Sequence, residues 1–582
     1  MPPLPSLIAV DAFPPHSVSI FQQNSLPRSL PGLDRQDGIR LAVLLGFFLA
    51  SRILWVEANL AAAVYWEEDF RWVVVHEILG GPLRPIFDYQ ADHYQGGSLV
   101  LTLLAAGFTW IFGVSALSYK MAAISCSTGT LALLYLVGRK AYGRRTALLA
   151  SLAYIAGPPL VAYWGLVVMG SHGESLLFSL GMLLLFHRLL TAAGRTPGTW
   201  FGFGLVGGLG LWFCPTAGIT LGACGLTWLV LAGLPRMREF AAACGGALLG
   251  LLPWLGYNLQ YGFPGLDRIL EMFGYLEPID PWIEMSAGQK AWNLVSTDWL
   301  EGLVTPWLEP LPPVLAGFLQ LGYGLPFALG LILFAARLIR GNPTLRRREL
   351  VYAIYGVAFL GVFLGTSFVI AFKEGPVSYR FFLPGAVILS LPVAESAARA
   401  FVSRRMLAAG CIALLLFSSA GATVFGATRD MSRKRPLSND FGYQVWGLLS
   451  HRKYERTLDR ALAETRVIPE LLPRLIMVRG IAWGVAFRFE QDGKLEPLEN
   501  ALALAQGDEV RAVLGGYEWT AEHRLRGVAG QVIAGEAPPQ HLDTLARNRW
   551  LLEFVVRERK ERGIAPPPRN WKPPKTLAPD AK

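Results

Sequence analysis

The sequence predicts an all-α protein that spans a membrane about 11 or 12 times and carries an α-helical extramembrane domain near its C-terminus. Of its 582 residues, 53% are hydrophobic and only 16% are charged, whereas ordinary soluble domains have about 25% charged residues. The mean hydropathy is +0.38. Several apolar runs reach the ~20 residues that cross a hydrocarbon core of about 30 Å. Together these observations indicate an integral multi-pass membrane protein.

The net charge of +10 does not indicate a nucleic-acid partner. Much of it lies in short arginine-rich loops between apolar runs, which is the distribution expected of cytoplasmic loops. The cysteines show neither a disulfide framework nor metal-ligand spacing, and we interpret them as small core residues. All five fall inside apolar runs, at Cys126, Cys214, Cys224, Cys244 and Cys411.

The N-terminal segment, residues 1–37, is Pro-rich and lacks the apolar region of a signal peptide, so we expect it to be loose. The first span is predicted over 41–62. Arginines precede this span, which predicts a cytoplasmic N-terminus and a first outer loop over 63–97. The complete transmembrane domain is predicted over 38–426.

The run 98–113 is shorter than a typical span, because its 16 residues make a helix of only about 24 Å. We interpret it as a juxtamembrane or re-entrant helix, since a full span here would move the basic link 139–145 to the outer side. A full span remains the alternative. The later apolar runs lie at about 117–137, 146–166, 174–190, 200–213, 216–234, 239–257, 313–336, 350–372, 381–398 and 406–426.

Charge also predicts the organisation of the second half. The loop 258–312 carries eight acidic and two basic residues, which predicts an outer location. Residues 427–563 are too polar to span, and their apolar residues at three-to-four spacing predict a soluble helical domain on the outer face. The Pro- and Lys-rich tail 564–582 predicts disorder. We expect the protein in the inner or plasma membrane of a cell.

A polar stretch after the first span, 66–98, contains the first candidate site. Ionisable groups beside a membrane span indicate a substrate or ion site. Three consecutive acids could act as a general base or as metal ligands, or they could simply form a solvated cap after a helix. The candidates are Glu67, Glu68 and Asp69, followed at the end of the stretch by Asp92, His93 and Tyr94.

Two further candidates lie later in the chain. His172 and Glu174 stand between long apolar runs, on the side of the membrane predicted for Glu67; a favourable interaction with the helix dipole is the alternative explanation of Glu174. Arg380 lies at the predicted outer end of a span, where positive residues are disfavoured. Bidentate binding of a phosphate would explain this arginine, and snorkelling at the interface is the alternative.

At this point the chain resembles the GT-C superfamily of membrane glycosyltransferases, in particular the protein O-mannosyltransferase and lipid A aminoarabinose transferase branch. The matching features are an acidic pair after the first span, an FG-x-S turn, a basic link, a second acid and an RFFLP segment. Gly96-Gly97 departs from the two prolines usual at that place. The matches are Glu67-Glu68, Phe112 to Ser115, Leu136 to Arg145, Glu174, and Arg380 to Pro384.

The resemblance implies a transferase that takes a sugar from a polyprenyl-phosphate donor to a lipid, glycan or protein acceptor at the outer face of the membrane. It implies that Glu67 activates the acceptor, with Glu68 or Asp69 assisting. Glu174 would position the acceptor or help to hold a divalent cation, and Arg380 would bind the donor phosphate. No cofactor is certain from the sequence, and the metal requirement stays open.

A transporter or flippase for a lipid-linked or anionic substrate is the alternative function, because intramembrane charge is also typical of transporters. Transporters often contain paired repeats with broken helices near the midplane. The sequence shows no convincing half-to-half repeat, and its acids lie in an outer loop. We therefore favour the transferase, with membrane lipid as a further partner.

Overall fold

The computed structural model of the chain is helical throughout its described part. The described residues are 86% helical and contain no strand, which confirms the predicted all-α class. They comprise 34–58, 66–81, 83–92, 95–272, 286–295, 313–340, 343–365, 379–403, 439–453, 458–533 and 540–565.

The helices before the long loop are α1 Arg35–Ala58, α2 Trp66–Gly80, α3 Gly97–Phe112, α4 Ala116–Ala141, α5 Arg144–Ile155, α6 Pro159–Trp164, α7 Leu176–Leu189, α8 Pro197–Phe213, α9 Ala217–Ala232, α10 Met237–Tyr261 and α11 Pro264–Met272. Those after it are α12 Ala287–Val295, α13 Pro313–Arg340, α14 Pro343–Gly365, α15 Tyr379–Ser403, α16 Asn439–Lys453, α17 Leu458–Arg466, α18 Leu471–Asp492, α19 Glu496–Leu504, α20 Asp508–Ile533 and α21 Gln540–Glu561.

Six helices of the described residues are long and apolar enough to cross a membrane, and they belong to α1, α4, α10, α13, α14 and α15. Three shorter apolar helices, α3, α7 and α9, accompany them. The predicted run 406–426 lies outside the described residues. The sequence analysis therefore identified the membrane-spanning character correctly, while the total number of spans stays a prediction.

One predicted run is interrupted. The apolar stretch 146–166 forms two helices, α5 and α6, that are separated at Gly157 and Pro158. Proline has no backbone N–H and its ring clashes with the preceding turn, so the sequence Gly157-Pro158-Pro159 favours a helix boundary here. The expectation of one continuous helix over this stretch is therefore wrong.

Helix α4 lies at the centre of the membrane half. It packs against α1, α3, α5 and α7, and its apolar side chains join the largest buried cluster. Leu131, Leu134 and Tyr135 from this helix are fully buried. Because α4 contacts both the first helix and the helices around residue 170, it connects the two regions that carry the candidate acids.

The C-terminal helices α17 to α21 share a hydrophobic core, and α16 to α21 include none of the candidate spans found in the described residues. Helix α16 packs closely on α2. The rings of Phe70 and Trp446 stack at 6.0 Å, and a Cβ atom added at Gly442 would lie 2.3 Å from the Asp69 carbonyl oxygen. This contact attaches the C-terminal helices directly to the helix that begins with the candidate acids.

Candidate functional site

Helix α2 begins with the three candidate acids, and their negative charge suits the positive end of the helix dipole. Successive residues of an α-helix point about 100° apart, because a turn contains 3.6 residues. Glu67, Glu68 and Asp69 therefore face three different surroundings. Only Glu67 is partly accessible, with 17% of its side chain exposed, whereas Glu68 and Asp69 are fully buried.

Glu67 lies between two arginines. Its Oε1 is 3.3 Å from Nη1 of Arg380, and its Oε2 is 3.4 Å from Nη2 of Arg71. Arg71 also donates from Nη1 to the Glu67 carbonyl oxygen at 3.1 Å and is almost completely buried. The Glu67 carboxylate thus has a guanidinium group on each side.

Asp92 joins this group from the segment that precedes α3. Its Oδ2 is 3.9 Å from Nη2 of Arg71 and accepts a hydrogen bond of 3.2 Å from Nε2 of Gln95. Burial raises the pKa of the Asp92 carboxyl above its usual range; Arg71 lowers this pKa and Glu67 raises it further. Two carboxylates and two arginines thus meet in one partly accessible group, which we call the Glu67 cluster: Glu67, Arg71, Asp92 and Arg380.

Arg380 reaches the cluster from the first turn of α15, at the very start of a candidate membrane span. Its Nη1 also lies 3.6 Å from the sulfur of Met169, and its guanidinium carbon is 5.0 Å from the centre of the Phe381 ring. These contacts orient the guanidinium group toward Glu67. The structure thus brings together Glu67 and Arg380, two candidates that the sequence analysis treated separately.

The carboxylate of Glu68 forms a buried ion pair. Lys120 of α4 donates from Nζ to both carboxylate oxygens, at 2.5 and 2.7 Å. The backbone N–H of Val168 donates to Oε1 at 2.9 Å. Glu68 therefore links α2 to α4 and to the segment before residue 170.

Glu174 organises the loop in which it lies. Its carboxylate accepts hydrogen bonds from the backbone N–H groups of Met169, Gly170 and Ser171 at 3.1, 3.0 and 3.1 Å. Burial raises the pKa of Glu174, and the backbone N–H groups partly oppose this rise. Three of the roughly four acceptor positions of a carboxylate are thus occupied by the loop that Glu174 holds together. Its predicted role in positioning an acceptor or holding a cation stays a prediction.

His172 lies in the same loop and is also buried. Its ring lies 4.5 Å from the Phe381 ring, and its Nδ1 is 3.7 Å from the sulfur of Cys214. Burial lowers the pKa of His172 to about 3, with a further contribution from Arg380, so this imidazole is neutral at ordinary pH. His172 packs against the residue that follows Arg380 and thereby positions that part of α15.

The unusual Gly96-Gly97 pair has a steric explanation. A Cβ atom at Gly97 would lie 2.0 Å from the Gly170 carbonyl oxygen, and one at Gly96 would lie 2.1 Å from Nε1 of Trp212. Gly170 itself has a φ of 69°, a conformation that glycine adopts without strain. The start of α3 and the Glu174 loop therefore cross at a distance that only glycines permit.

The described residues contain no group of three or more His, Cys, Asp or Glu residues that could hold a metal ion. The two carboxylates of the Glu67 cluster already contact Arg71, whose positive charge opposes a cation there. His93 and Tyr94, which were predicted to bind substrate, lie outside the described residues.

Sequence reasoning missed Arg71 and Lys120. Arg71 stands four residues after Glu67, the spacing at which side chains on one helix face meet, and this signal was available. Lys120 is a lone lysine in an apolar run, and such a residue requires a partner. Its partner, Glu68, is 52 residues away in the chain, which sequence spacing does not reveal.

One family model is similar to part of the chain. The family model described as dolichyl-phosphate-mannose-protein mannosyltransferase matches residues 97–257. No curated protein matches the sequence. The matched segment is 161 of the 582 residues, and its description agrees with the resemblance to protein O-mannosyltransferases that the motifs indicated.

Similar solved structures include ArnT from Cupriavidus metallidurans in the apo state, with 14% identity, a TM-score of 0.42, and coverage of 90% of this chain and 89% of that chain. ArnT from the same organism has also been solved bound to undecaprenyl phosphate, with 13% identity, a TM-score of 0.39, and coverage of 90% and 88%. The Archaeoglobus fulgidus oligosaccharyltransferase in the apo form shows 13% identity, a TM-score of 0.41, and coverage of 75% of this chain and 60% of that chain.

Proposed function

We propose that this chain is a GT-C membrane glycosyltransferase, which transfers a sugar from a polyprenyl-phosphate donor to a lipid, glycan or protein acceptor at the outer face of the membrane. The observation that carries the proposal is the Glu67 cluster, in which a partly accessible carboxylate lies 3.3 Å from Arg380. A proton acceptor and an anion-binding group are thus adjacent, which is what transfer from a sugar phosphate requires.

Glu67 is the general base of this proposal. It takes the proton of an acceptor hydroxyl group while that oxygen attacks the anomeric carbon. The bond between the anomeric carbon and the phosphate oxygen breaks, and its electron pair leaves with the polyprenyl phosphate. Glu67 suits this role because it is the only one of the three consecutive acids whose side chain is partly exposed.

Arg380 binds the donor phosphate and stabilises the charge that grows on it as the bond breaks. A guanidinium group offers a planar fork that matches phosphate oxygens. Arg71 holds Glu67 from its other side and contacts Asp92, so these two residues position the base. Asp69, which is buried beneath α16, supports the start of α2.

The location of the cluster suits a lipid-linked donor. Arg380 stands at the first residue of the candidate span Arg380–Ala400, whereas α2 is not a candidate span. The cluster therefore lies where a membrane helix meets an extramembrane segment. A polyprenyl tail can remain in the bilayer while its phosphate reaches the arginine, and the arginine-rich loops at the opposite helix ends favour the outer face for this site.

The deciding experiment replaces Glu67 by Gln, which removes the proton-accepting group and little volume. We expect transfer to fall by about 100-fold or more, since general base catalysis contributes about 10²–10⁴-fold. The measurement follows release of undecaprenyl phosphate from an undecaprenyl-phosphate-linked sugar, in membranes that contain the acceptor.

Glu553→Gln serves as the matched control, because Glu553 is 70% exposed on α21 and far from the cluster in the chain. Full activity of the Glu67→Gln protein would remove Glu67 as the base. Movement of the intact donor across vesicles without sugar transfer would favour the transporter alternative instead.

A further inference from the structure

The C-terminal helices contain a cavity of about 210 Å³ that takes no part in the proposed reaction. Pockets for drug-sized ligands measure about 300–1,000 Å³, so this cavity suits a ligand of about one ring. It lies between α18 and α20, with Leu448 of α16 at its side. Its other lining residues are Trp483, Phe487, Trp519, Thr520, His523 and Arg524.

Aromatic rings form much of the cavity wall. The indoles of Trp483 and Trp519 meet edge to face, with their centres 4.6 Å apart. The imidazole of His523 stacks on Trp519 at 5.0 Å with an angle of 7° between the planes. Both tryptophans are only partly buried, so this aromatic part of the wall is accessible from outside.

The polar groups of the cavity are balanced in charge. Arg524 lies over the Phe487 ring at 4.7 Å, and its Nε is 3.2 Å from Oε2 of the buried Glu490. The Thr520 hydroxyl donates to the Gly516 carbonyl at 2.9 Å, which leaves its oxygen as an acceptor for a ligand. An arginine paired with a glutamate favours a neutral ligand with hydroxyl groups over an anion or a cation.

We propose that this cavity binds a neutral sugar ring of the acceptor, at a position remote from the transferred sugar. A sugar ring has apolar C–H faces that pack on aromatic rings and hydroxyl groups that hydrogen-bond to arginine, histidine and threonine. This inference rests on the proposed transferase function, because it names a glycan as the acceptor of that reaction.

The position of the cavity explains why its sugar is not the reacting one. Gly442 of α16 packs on Asp69, whereas Leu448, which lines the cavity, comes six residues later in the same helix. Six residues correspond to about 9 Å along the helix axis and to a different helix face. The cavity thus lies beside the α2 contact without reaching it, as a site that anchors an extended acceptor would.

The helices around the cavity are held firmly in place. A Cβ atom at Gly447 would lie 2.0 Å from the Met477 carbonyl oxygen, and one at Gly480 would lie 1.9 Å from the Gln444 carbonyl oxygen. This close crossing of α16 and α18 keeps the cavity at a constant distance from α2. A sugar bound in the cavity would therefore hold the acceptor at a defined distance from Glu67.

Binding is tested with the full-length protein in detergent by isothermal titration with the methyl glycosides of glucose, galactose and mannose. Inorganic phosphate and tetramethylammonium serve as anionic and cationic probes. We expect at least one glycoside to bind, and Trp519→Leu to weaken this binding about tenfold, since aromatic contacts contribute about 0.5–1.5 kcal/mol and 1.4 kcal/mol is tenfold. Trp519→Phe should retain most of the affinity.

A second pair of variants covers the case in which Trp519→Leu does not fold. Arg524→Gln should weaken glycoside binding, whereas Arg488→Gln should not, because Arg488 is exposed on α18 and pairs with Asp492 in the same helix. Glu67→Gln should bind the glycoside as well as the unmodified protein does.

The proposal is overturned if none of the glycosides binds, if only phosphate or tetramethylammonium binds, or if Trp519→Leu and Arg524→Gln bind as the unmodified protein does. Glycoside binding without any sugar transfer would refute the proposed function and retain the cavity. Transfer without glycoside binding would refute the cavity and retain the proposed function.

Discussion

At the scale of single residues, the three consecutive acids show that one helical turn places neighbouring carboxylate groups in different surroundings. Glu67 contacts Arg71 and Arg380 and remains partly exposed, whereas Glu68 is sealed against Lys120. A buried ion pair contributes little net stability, but loss of one partner leaves an uncompensated charge. We therefore expect neighbouring Glu-to-Gln changes to have different consequences, one on activity and the other on folding.

Glu68→Gln should lower the stability of the protein by about 3–5 kcal/mol, because it leaves the buried Lys120 ammonium without its counter-charge. Addition of Lys120→Met should restore most of the loss. Thermal unfolding in detergent measures both effects. Glu67→Gln is the comparison, and it should lower the melting temperature less, because Glu67 is partly exposed and Arg71 keeps its contact with Asp92. Equal losses in the two Gln variants would contradict the ion-pair argument.

Arg380→Lys retains the positive charge and removes the planar fork that binds phosphate oxygens. We expect kcat/KM for the lipid-linked donor to fall about tenfold or more, with a small effect on KM for the acceptor. Steady-state kinetics with each substrate varied in turn separate these effects. Arg399→Lys on the same helix is the control, since Arg399 is 54% exposed and pairs with Glu395; a similar loss there would argue against a phosphate-binding role.

At the scale of elements, the site depends on the crossing of two backbone segments. The start of α3 and the Glu174 loop touch at Gly97 and Gly170. Glu174 folds this loop through three backbone amides, and Glu68 binds the residue just before it. The same loop supplies Met169, which contacts Arg380. A disturbance of this crossing should therefore reach the Glu67 cluster.

Gly97→Ala introduces a Cβ atom that would lie 2.0 Å from the Gly170 carbonyl oxygen. We expect a loss of about 1–3 kcal/mol or more in stability, together with reduced transfer. Gly107→Ala on the same helix provides a matched control, because nothing lies within 4 Å of its added Cβ atom. The melting temperatures of the two variant proteins measure the difference. Equal values would show that the contact between Gly97 and Gly170 tolerates an added methyl group.

At the scale of the whole molecule, the C-terminal helices are attached to α2 through a buried charged group as well as through stacked rings. Arg84 lies between two carboxylates, with Nη2 3.1 Å from Glu77 and Nη1 2.6 Å from Glu464 of α17. All three side chains are less than 10% exposed. One arginine facing two buried carboxylates favours the binding of an additional proton.

This arrangement makes the attachment sensitive to pH. Burial raises the pKa of Glu77 from 4.5 to about 7; Arg84 lowers this pKa and Glu464 raises it. A folded-state pKa above the unfolded value means that the stabilisation is fully present below about pH 4.5 and is lost as the pH rises through about 7. The melting temperature should therefore decline between about pH 5 and pH 8, by an amount equivalent to at most about 3 kcal/mol.

Glu77→Gln mimics the protonated side chain and should remove most of this decline. Thermal unfolding of both proteins across the same pH range measures it. Glu499→Gln on α19, away from the α2 contact, is the control and should retain the pH dependence of the unmodified protein. A decline of equal size in Glu77→Gln would show that other groups cause it.

Several features of this protein follow from the sequence alone. Apolar runs of about 20 residues indicate membrane-spanning helices, because a helix satisfies all the backbone hydrogen bonds of such a run within the lipid. The polar stretch after α1 and the arginine at the start of α15 identified Glu67, Asp92 and Arg380, which the structure brings together. These predictions depend on composition and on the spacing of nearby residues, both of which can be read from the sequence.

Other features were decided by tertiary structure. A run of three acids does not reveal which of them pairs with Lys120, which lies more than 50 residues away in the chain. Nor does the sequence reveal that the Glu174 carboxylate accepts hydrogen bonds from the backbone of its own loop. The rotation of α2 about its axis is set by α4 and α16, which pack on it from distant parts of the chain. The spacing of ionisable residues therefore located the site, and long-range packing assigned each residue its surroundings.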